Sequence, residues 1–260
     1  MSDSQSIDFE AYRKFEQKGW SEVASGYSSY HAAITAQAAD ALLDAVSVGP
    51  GMDILDVACG PGAIAAAAAA RGAKAIGVDF AESMIAEAKR RYPDIEFKAD
   101  DAESLSFDDS TFDAVVCNFA MLHIAEPDKA IAEAFRVLRP GGRYAFTTWQ
   151  TPDKVQYLSV VTGAVMAHGN LDVDVPAAPP PFRFSDPEEA KRTLTSCGFA
   201  AVTTGEVTCY AKNTVDELIE SLYSGTVRSK AIAEAQTPRR VRKFMQLLRR
   251  TRSHSPRMAS

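Results

Sequence analysis

Residues 55–65 read LDVACGPGAIA: a short apolar run, a turn that contains Gly60 and Gly62, and the start of an alanine-rich stretch with high helix propensity. A strand that ends in such a turn and opens a helix aims several unpaired backbone N–H groups at one point. Glycine lets a ligand approach the backbone closely, and a helix N-terminus favours negative charge. The stretch therefore predicts a ligand-binding strand–turn–helix unit, with tight packing as the alternative reason for its glycines.

Strand-like and helix-like segments alternate around this unit. The expected strands are MDILDVA, AKAIGVDF, DIEFKAD, FDAVVCNFAM and GRYAFTTW, and helical patterns such as AESMIAEAKRRY and EPDKAIAEAFRVLRPGG separate them. Near-continuous apolar strands between helices indicate a parallel sheet that is covered on both faces. Because crossovers are right-handed, the sequence predicts an α/β fold with a doubly wound, Rossmann-like, mostly parallel sheet.

Composition divides the chain into four parts. We expect N-terminal helices over 1–48, the Rossmann-like core over 49–150, a substrate-pocket region over 151–236 and a basic tail over 237–260. The third part contains a loop to residue 185, the helix DPEEAKRTLTSCGF, a strand over 200–210 and a C-terminal helical cap over 213–236.

Charge and cysteine spacing exclude several functions. The net charge is −6, yet the tail holds eight basic residues and no acid, which leaves 20 basic against 34 acidic residues elsewhere. The acidic charge of residues 1–236 argues against nucleic-acid binding. For the basic tail, a solvated segment is favoured over one that binds an acidic partner. The four cysteines lack metal-ligand spacing, so no metal is expected. No run suits a membrane span, and the polar N-terminus predicts a cytoplasmic protein.

Two aspartates follow the next strands of the predicted sheet. Asp79 stands at the end of AKAIGVDF, 19 residues after Gly60, where an acid can accept hydrogen bonds from both hydroxyls of a ribose; its alternative role is a helix N-cap. Asp101 and Ala102 follow the third strand, where an adenine would then lie, although Asp101 could also be a solvated turn residue. The dinucleotide pattern GxGxxG fails at Ala65, which disfavours a nicotinamide-dependent oxidoreductase.

At this point the sequence resembles the class I S-adenosylmethionine (SAM)-dependent methyltransferases, particularly the ubiquinone/menaquinone-type small-molecule branch. The stretches that match are LDVACGPG, GVDFAESMIAEAK, ADDAESLSFDDSTFDAVVCNFAMLHI and AFRVLRPGGRYAFTTW, within residues 52–149. The resemblance implies SAM as cofactor, S-adenosylhomocysteine as product, and in-line methyl transfer to an O, N or C nucleophile of a small organic molecule. Ala58 replaces the family's first motif glycine, a change expected to cost little.

The resemblance also implies roles for single residues. Ala58, Cys59, Gly60 and Gly62 would hold the methionine moiety, Asp79 the ribose, Phe80 and Met84 the adenine face, and Asp101 with Ala102 the adenine edge. Asn118 and Phe119 would face the methionine amino group and the transfer region. Tyr27, with Trp20, would close over the cofactor, and core packing is the alternative role of both aromatic residues.

His123 is the candidate catalytic base, because it follows the fourth strand in NFAMLHIAEP. Its alternative role is to pack against the start of the next helix. A non-catalytic SAM-binding protein is the alternative function, since relatives usually end in an antiparallel strand that this sequence lacks. Without that strand, an open sheet edge favours a homodimer.

Overall fold

A computed structural model describes residues 7–156, 159, 170, 173–212, 214–237, 239, 240, 242 and 243. The sheet that it describes has five strands, β1 (Asp53–Val57), β2 (Lys74–Asp79), β3 (Glu96–Ala99), β4 (Phe112–Asn118) and β5 (Leu138–Thr147). All four pairings are parallel, and the spatial order is β3-β2-β1-β4-β5. The chain order reverses between β1 and β4, so the predicted doubly wound sheet is confirmed.

Helices cover both faces of the sheet and its carboxyl end. The N-terminal helices are α1 (Phe9–Tyr30), α2 (Ala32–Thr35) and α3 (Ala39–Ala45), and the crossover helices are α4 (Ala63–Ala70), α5 (Glu82–Arg91) and α6 (Pro127–Val137). The C-terminal helices are α7 (Pro187–Ser196), α8 (Val215–Ser224) and α9 (Val227–Glu234). The predicted helical cap over 213–236 is therefore confirmed in α8 and α9.

Alternating side chains of β1 and β4 build the core on both faces of the sheet. Ile54 of β1 packs with Ala114 and Val116 of β4 in a buried cluster that also holds residues of α3 and α4. Leu55 and Val115, one position further along each strand, belong to the cluster formed with α6. Every one of these side chains is fully buried, as expected for strands that are covered on both faces.

The strand predicted over 200–210 is wrong. Residues 201–212 carry no strand pairing, and residues 203–208 are all exposed, so this segment has no apolar face to bury against the sheet. The side chain of Gln37 hydrogen-bonds both to the N–H of Tyr210, at 2.9 Å, and to its carbonyl, at 3.0 Å. An amide side chain thus satisfies backbone groups that a neighbouring strand would otherwise pair.

The last strand begins earlier than predicted. The sequence indicates a helix as far as Gly142, but α6 ends at Val137 and β5 starts at Leu138, which pairs with Phe112. The register then shifts before the next pair. Gly141 has a φ of +83°, and its left-handed backbone accommodates the irregularity.

No helix among the described residues is both long and apolar enough to cross a bilayer. Most of the basic tail over 237–260 and much of the loop over 151–185 lie outside the described residues.

Candidate active site

The carboxyl ends of the strands open into a cleft of about 940 Å³, counting its mouth. It lies where the strand order reverses, the usual ligand position in open α/β sheets. The predicted site residues that line this cleft are Tyr27, Ala58, Gly60, Asp79, Phe80, Met84, Asp101, Ala102, Asn118, Phe119 and His123. Segments that are far apart in sequence therefore meet on one surface.

A smaller recess of about 320 Å³ continues the cleft beneath the glycine turn. Tyr27, Gly60 and Asn118 line both spaces, whereas Cys59 lines only the recess. The Cys59 side chain is buried in a core cluster behind the turn, and burial raises the pKa of its thiol well above its usual range. A thiol in that position is a packing group.

The two turn glycines have different reasons to be glycine. A Cβ on Gly60 would meet nothing closer than the Tyr27 ring at 4.0 Å, so space for a ligand lies above it. A Cβ on Gly62 would lie 2.7 Å from the Phe97 ring, and its φ is +86°. Gly62 lines neither space. The packing alternative therefore explains Gly62, and the predicted ligand contact remains for Gly60.

Ala58 bears more strain than the sequence suggests. Its φ is +53°, in the left-handed region that favours glycine. A residue with a Cβ in this conformation loses roughly 1–2 kcal/mol of conformational stability relative to glycine. This conformation argues against the expectation that alanine costs little at this position.

Asp79 ties the ends of β2 and β1 together. Its side chain accepts the N–H of Gly60 through Oδ2 and the N–H of Ala81 through Oδ1, each at 2.9 Å. Burial raises its pKa to about 6, although these hydrogen bonds and nearby His123 oppose the shift. The N-cap of α5 is Ala81 rather than Asp79. The carboxylate borders the cleft with an unused lone pair on each oxygen, which suits ribose hydroxyls.

Asp56 is a second buried carboxyl group, on the floor of the recess. Oδ2 accepts the N–H of Ala65 at 2.9 Å, but Oδ1 is buried and has no hydrogen-bond partner among the described residues. Burial raises the pKa of Asp56 to about 8. An orphaned buried oxygen beside an open recess is typical of a site that a polar or cationic ligand completes.

Asp101 combines its turn role with a place in the cleft. Oδ1 accepts the N–H of Glu103 at 2.9 Å, as a turn aspartate does. Oδ2 of Asp101 lies 3.7 Å from Nε of Arg13. Arg13 extends from α1 and also forms an ion pair with Glu103. Glu103 in turn accepts the N–H groups of Ala125 and Glu126, at 3.0 and 3.1 Å. One arginine thus links α1 to the loops that follow β3 and β4.

Asn118 is held by neighbours on both sides. Its Nδ2 donates to the carbonyl of Thr35 at 3.0 Å, and its Oδ1 accepts the hydroxyl of Thr147 at 2.7 Å. The Thr147 hydroxyl oxygen also accepts the N–H of Phe119 at 2.9 Å. Phe119 has a φ of +54° and stacks on Trp149, with 4.2 Å between ring centroids. The end of β4 therefore presents a fixed amide and an aromatic wall.

His123 lies on the opposite wall, against α1. Its Nδ1 is 3.1 Å from Oε2 of Glu16, and its ring stands perpendicular to Trp20 with 4.8 Å between centroids. Tyr27, about two turns further along α1, meets Trp20 edge to face at 5.3 Å and hydrogen-bonds the Thr35 hydroxyl at 3.0 Å. The aromatic residues of α1 therefore both pack and line the cleft.

Sequence reasoning missed several of these groups. Arg13, Glu16, Thr35, Asp56, Thr147 and Trp149 border the cleft or hold residues that do. Two of them carry a signal: Asp56 is an acid inside an apolar strand, and Glu16 lies midway between Tyr12 and Trp20 on the buried stripe of α1. An acid at a position where the pattern calls for an apolar residue points to a functional or buried polar site.

Comparison with known proteins matches this geometry. Residues 54–142 match the model of a methyltransferase domain. The demethylmenaquinone methyltransferase of Renibacterium salmoninarum is 39% identical over 125 residues, which are 48% of this chain and 53% of that protein. Residues 54–142 are therefore similar to the methyltransferase domains of SAM-dependent enzymes. The resemblance to the quinone-type branch is thereby confirmed, although the chain spans about half the length of the curated relatives that it matches.

Two solved structures share the fold of this chain. The putative methyltransferase in complex with the Trm112 activator from Haloferax volcanii superposes with a TM-score of 0.56 at 20% identity, over 88% of this chain and 92% of that one. The [4+2]-cyclase SpnF superposes with a TM-score of 0.53 at 20% identity, over 84% and 75% of the two chains. At such identities the likeness concerns the fold alone. The reaction must be inferred from the side chains in the cleft.

Proposed function

We propose that the protein transfers a methyl group from SAM to a small organic molecule. The observation that carries this proposal is the meeting of Gly60, Asp79 and Asp101 at adjacent strand ends in one cleft. These are a backbone that a ligand can approach, a ribose acceptor and an adenine-edge acceptor. The family match over residues 54–142 supports the same assignment.

The charges along the cleft fit this cofactor. Asp79 and Asp101 line the cleft as carboxylates, and Arg13 partly balances their charge. SAM carries a sulfonium and an ammonium against one carboxylate, so an acidic floor attracts it. The orphaned Oδ1 of Asp56 provides an acceptor for a donor group in the recess. When bound, SAM supplies a methyl carbon that its positive sulfur activates.

The aromatic side chains of the cleft would receive the methyl acceptor. Trp20, Phe119 and Trp149 line the cleft, so a flat aromatic or otherwise apolar molecule fits it. The curated relatives are named for demethylmenaquinone, which supports an acceptor of the quinol type. Holding acceptor and methyl group in attack geometry can supply about 7–11 kcal/mol of the barrier.

His123 would remove the proton when the acceptor must lose one. It lines the cleft together with Trp20 and Ile124, and its side chain is 20% exposed. General-base catalysis of this kind is worth about 10²–10⁴-fold. A titratable group in the cleft favours an enzyme over the alternative, a non-catalytic SAM-binding protein.

Two measurements test the proposal. Calorimetry should show binding of SAM and S-adenosylhomocysteine but not of NAD or NADP, because the turn lacks the third glycine of the dinucleotide pattern. Incubation with isotope-labelled SAM and a panel of quinols, phenols and amines should then yield a methylated product. Binding of NAD without binding of SAM would contradict the cofactor assignment. Binding of SAM with no transfer to any acceptor would favour the non-catalytic alternative.

A further inference from the structure

A buried carboxylate lies directly behind the candidate base. Glu16, in the middle of α1, is 1% exposed. Its Oε2 is 3.1 Å from Nδ1 of His123 and accepts the indole N–H of Trp20 at 3.0 Å. Glu16 does not line the cleft, whereas His123 and Trp20 do. The acid therefore contacts the reacting region only through the histidine and the indole.

Burial of this carboxylate needs compensation. An acid removed from water costs several kcal/mol unless hydrogen-bond donors face it. The groups that face Glu16 are the indole N–H, the Nδ1 side of an imidazole and the Tyr12 hydroxyl, which also donates to the carbonyl of Leu122 at 3.1 Å. Leucine or methionine at this position would pack in the apolar stripe of α1 without that cost. The arrangement therefore indicates a role for the charge rather than for packing.

We infer that Glu16 is a positioning residue for His123, an inference that rests on the proposed function. A carboxylate that faces Nδ1 fixes the neutral imidazole in the tautomer that carries its proton there. Nε2 is then the acceptor nitrogen, and it makes no hydrogen bond to any residue that the structure describes. The perpendicular Trp20 ring packs against the imidazole, with 4.8 Å between ring centroids.

The proton transfer that follows is balanced within these groups. The bond between the acceptor atom of the substrate and its hydrogen breaks, its electron pair stays on that atom, and an Nε2–H bond forms. The imidazolium that results is stabilised by the Glu16 carboxylate at 3.1 Å. The partly exposed imidazole then returns the proton to water.

The pair also links the base to the position of α1. Glu16 and His123 are 107 residues apart, and only the seating of α1 over the cleft brings them together. The helix is held there by Gln17, which donates to the carbonyl of Phe80 at 3.2 Å, and by the pairing of Arg13 with Glu103. His123 is therefore oriented as a base only while α1 covers the cleft.

Nitrogen NMR of the imidazole rings tests the inference on the ligand-free full chain. The chain has four histidines, so the signals of His123 are assigned by their absence from His123→Ala. At a pH where the imidazole is neutral, wild type should show the tautomer protonated on Nδ1. Glu16→Gln should show a mixture of tautomers. The Nε2-protonated form in wild type would overturn the inference, whether or not Glu16→Gln folds.

Kinetics supply the second readout. Glu16→Gln should lower kcat about 10-fold or more and leave KM and the affinity for S-adenosylhomocysteine unchanged. The matched control is Glu10→Gln, which removes an exposed carboxylate of the same helix that pairs with Lys14, and which should behave as wild type. Wild-type kcat in Glu16→Gln would overturn the inference. An inactive wild type with the expected tautomers would instead contradict the proposed function and leave the positioning role intact.

Discussion

The carboxylate of Asp79 and the backbone N–H of Gly60 are joined by a 2.9 Å hydrogen bond across the carboxyl ends of β2 and β1. The residue expected to read the ribose thus also holds the turn expected to hold the methionine moiety. Substitution of Asp79 therefore disturbs two halves of the cofactor site at once.

Asp79→Ala should weaken SAM binding by about 2–4 kcal/mol, since hydrogen bonds to a charged group contribute about 1.5–3 kcal/mol each and water compensates in part. Asp79→Asn should weaken it less, because the amide oxygen can still accept the Gly60 N–H. Titration calorimetry measures both. An unchanged affinity in Asp79→Ala would leave Asp79 only its role in the turn.

The affinity for SAM should also depend on pH through Asp79. Burial raises the pKa of this carboxyl to about 6, and the ionised form is the better acceptor for two hydroxyls. Binding should therefore weaken as the pH falls through about 6. Asp79→Asn has no proton to gain and should lose most of this dependence. A parallel pH dependence in both proteins would assign it to another group.

His123→Ala should lower kcat by about 10²-fold or more and leave SAM affinity intact, since the imidazole acts on the acceptor and not on the cofactor. Stopped-flow or steady-state transfer assays, paired with calorimetry, separate the two effects. A kcat close to that of wild type would return His123 to a packing role. It would also indicate an acceptor that needs no base, such as a neutral amine.

Because of Asp56, the free energy of unfolding should fall as the pH rises. Burial raises its pKa from an ordinary value near 3.8 to about 8, so the folded state holds a proton that the unfolded chain has lost between these values. The free energy of unfolding therefore falls over that window. Asp56→Asn removes the titration and should exceed wild type in stability by at least about 1 kcal/mol at pH 8.

Urea unfolding at pH 5 and pH 8 measures this effect. Asp94→Asn, which alters an exposed loop carboxylate, is the matched control and should follow wild type at both pH values. Equal stability of Asp56→Asn and wild type at pH 8 would show that Asp56 ionises without penalty in the fold.

Much of the fold follows from the sequence because its strong signals are local. An apolar run that ends in a glycine turn predicts β1, and the aspartates at the end of β2 and after β3 fall in the cleft as expected. The failed strand over 200–210 shows the limit of such signals. The segment AAVTTGEVTCY predicts a strand, yet strand pairing is decided by an edge elsewhere in the chain, and Gln37 satisfies Tyr210 instead.

The part of the site that the sequence hides depends on long-range contacts. Nothing near His123 in the sequence points to Glu16, because their contact exists only when α1 lies over the loop after β4. The identity of a residue also does not reveal its backbone conformation. Ala58 is an ordinary residue in the sequence and a left-handed one in the fold.

Ala58→Gly should stabilise the protein by about 0.5–1 kcal/mol. Glycine removes roughly 1–2 kcal/mol of left-handed strain, and its greater freedom in the unfolded chain returns about 0.4–1 kcal/mol of that gain. Thermal unfolding measures the result. Ala66→Gly, in the middle of α4, is the matched control and should cost about 1 kcal/mol. Destabilisation of similar size in both variants would mean that Ala58 bears no strain.

The outer edge of β5 provides the last prediction. β5 pairs with β4 on one side, and no strand among the described residues pairs with its other side. An open edge ten residues long invites a second chain to cover it. We therefore expect a homodimer, with a mass that light scattering measures directly.

Truncation after Gln236 separates this interface from the basic tail. Each described residue that lines the cleft lies at or before Thr226, so the shortened chain should bind SAM with the affinity of the full chain. It should also remain a dimer, because β5 is intact and like charges on two tails would repel rather than join the copies. A dimer that dissociates on truncation would place the contact in the tail. A stable monomer whose SAM affinity collapses on truncation would show that residues 237–260 complete the fold, and that the edge of β5 is covered within one chain.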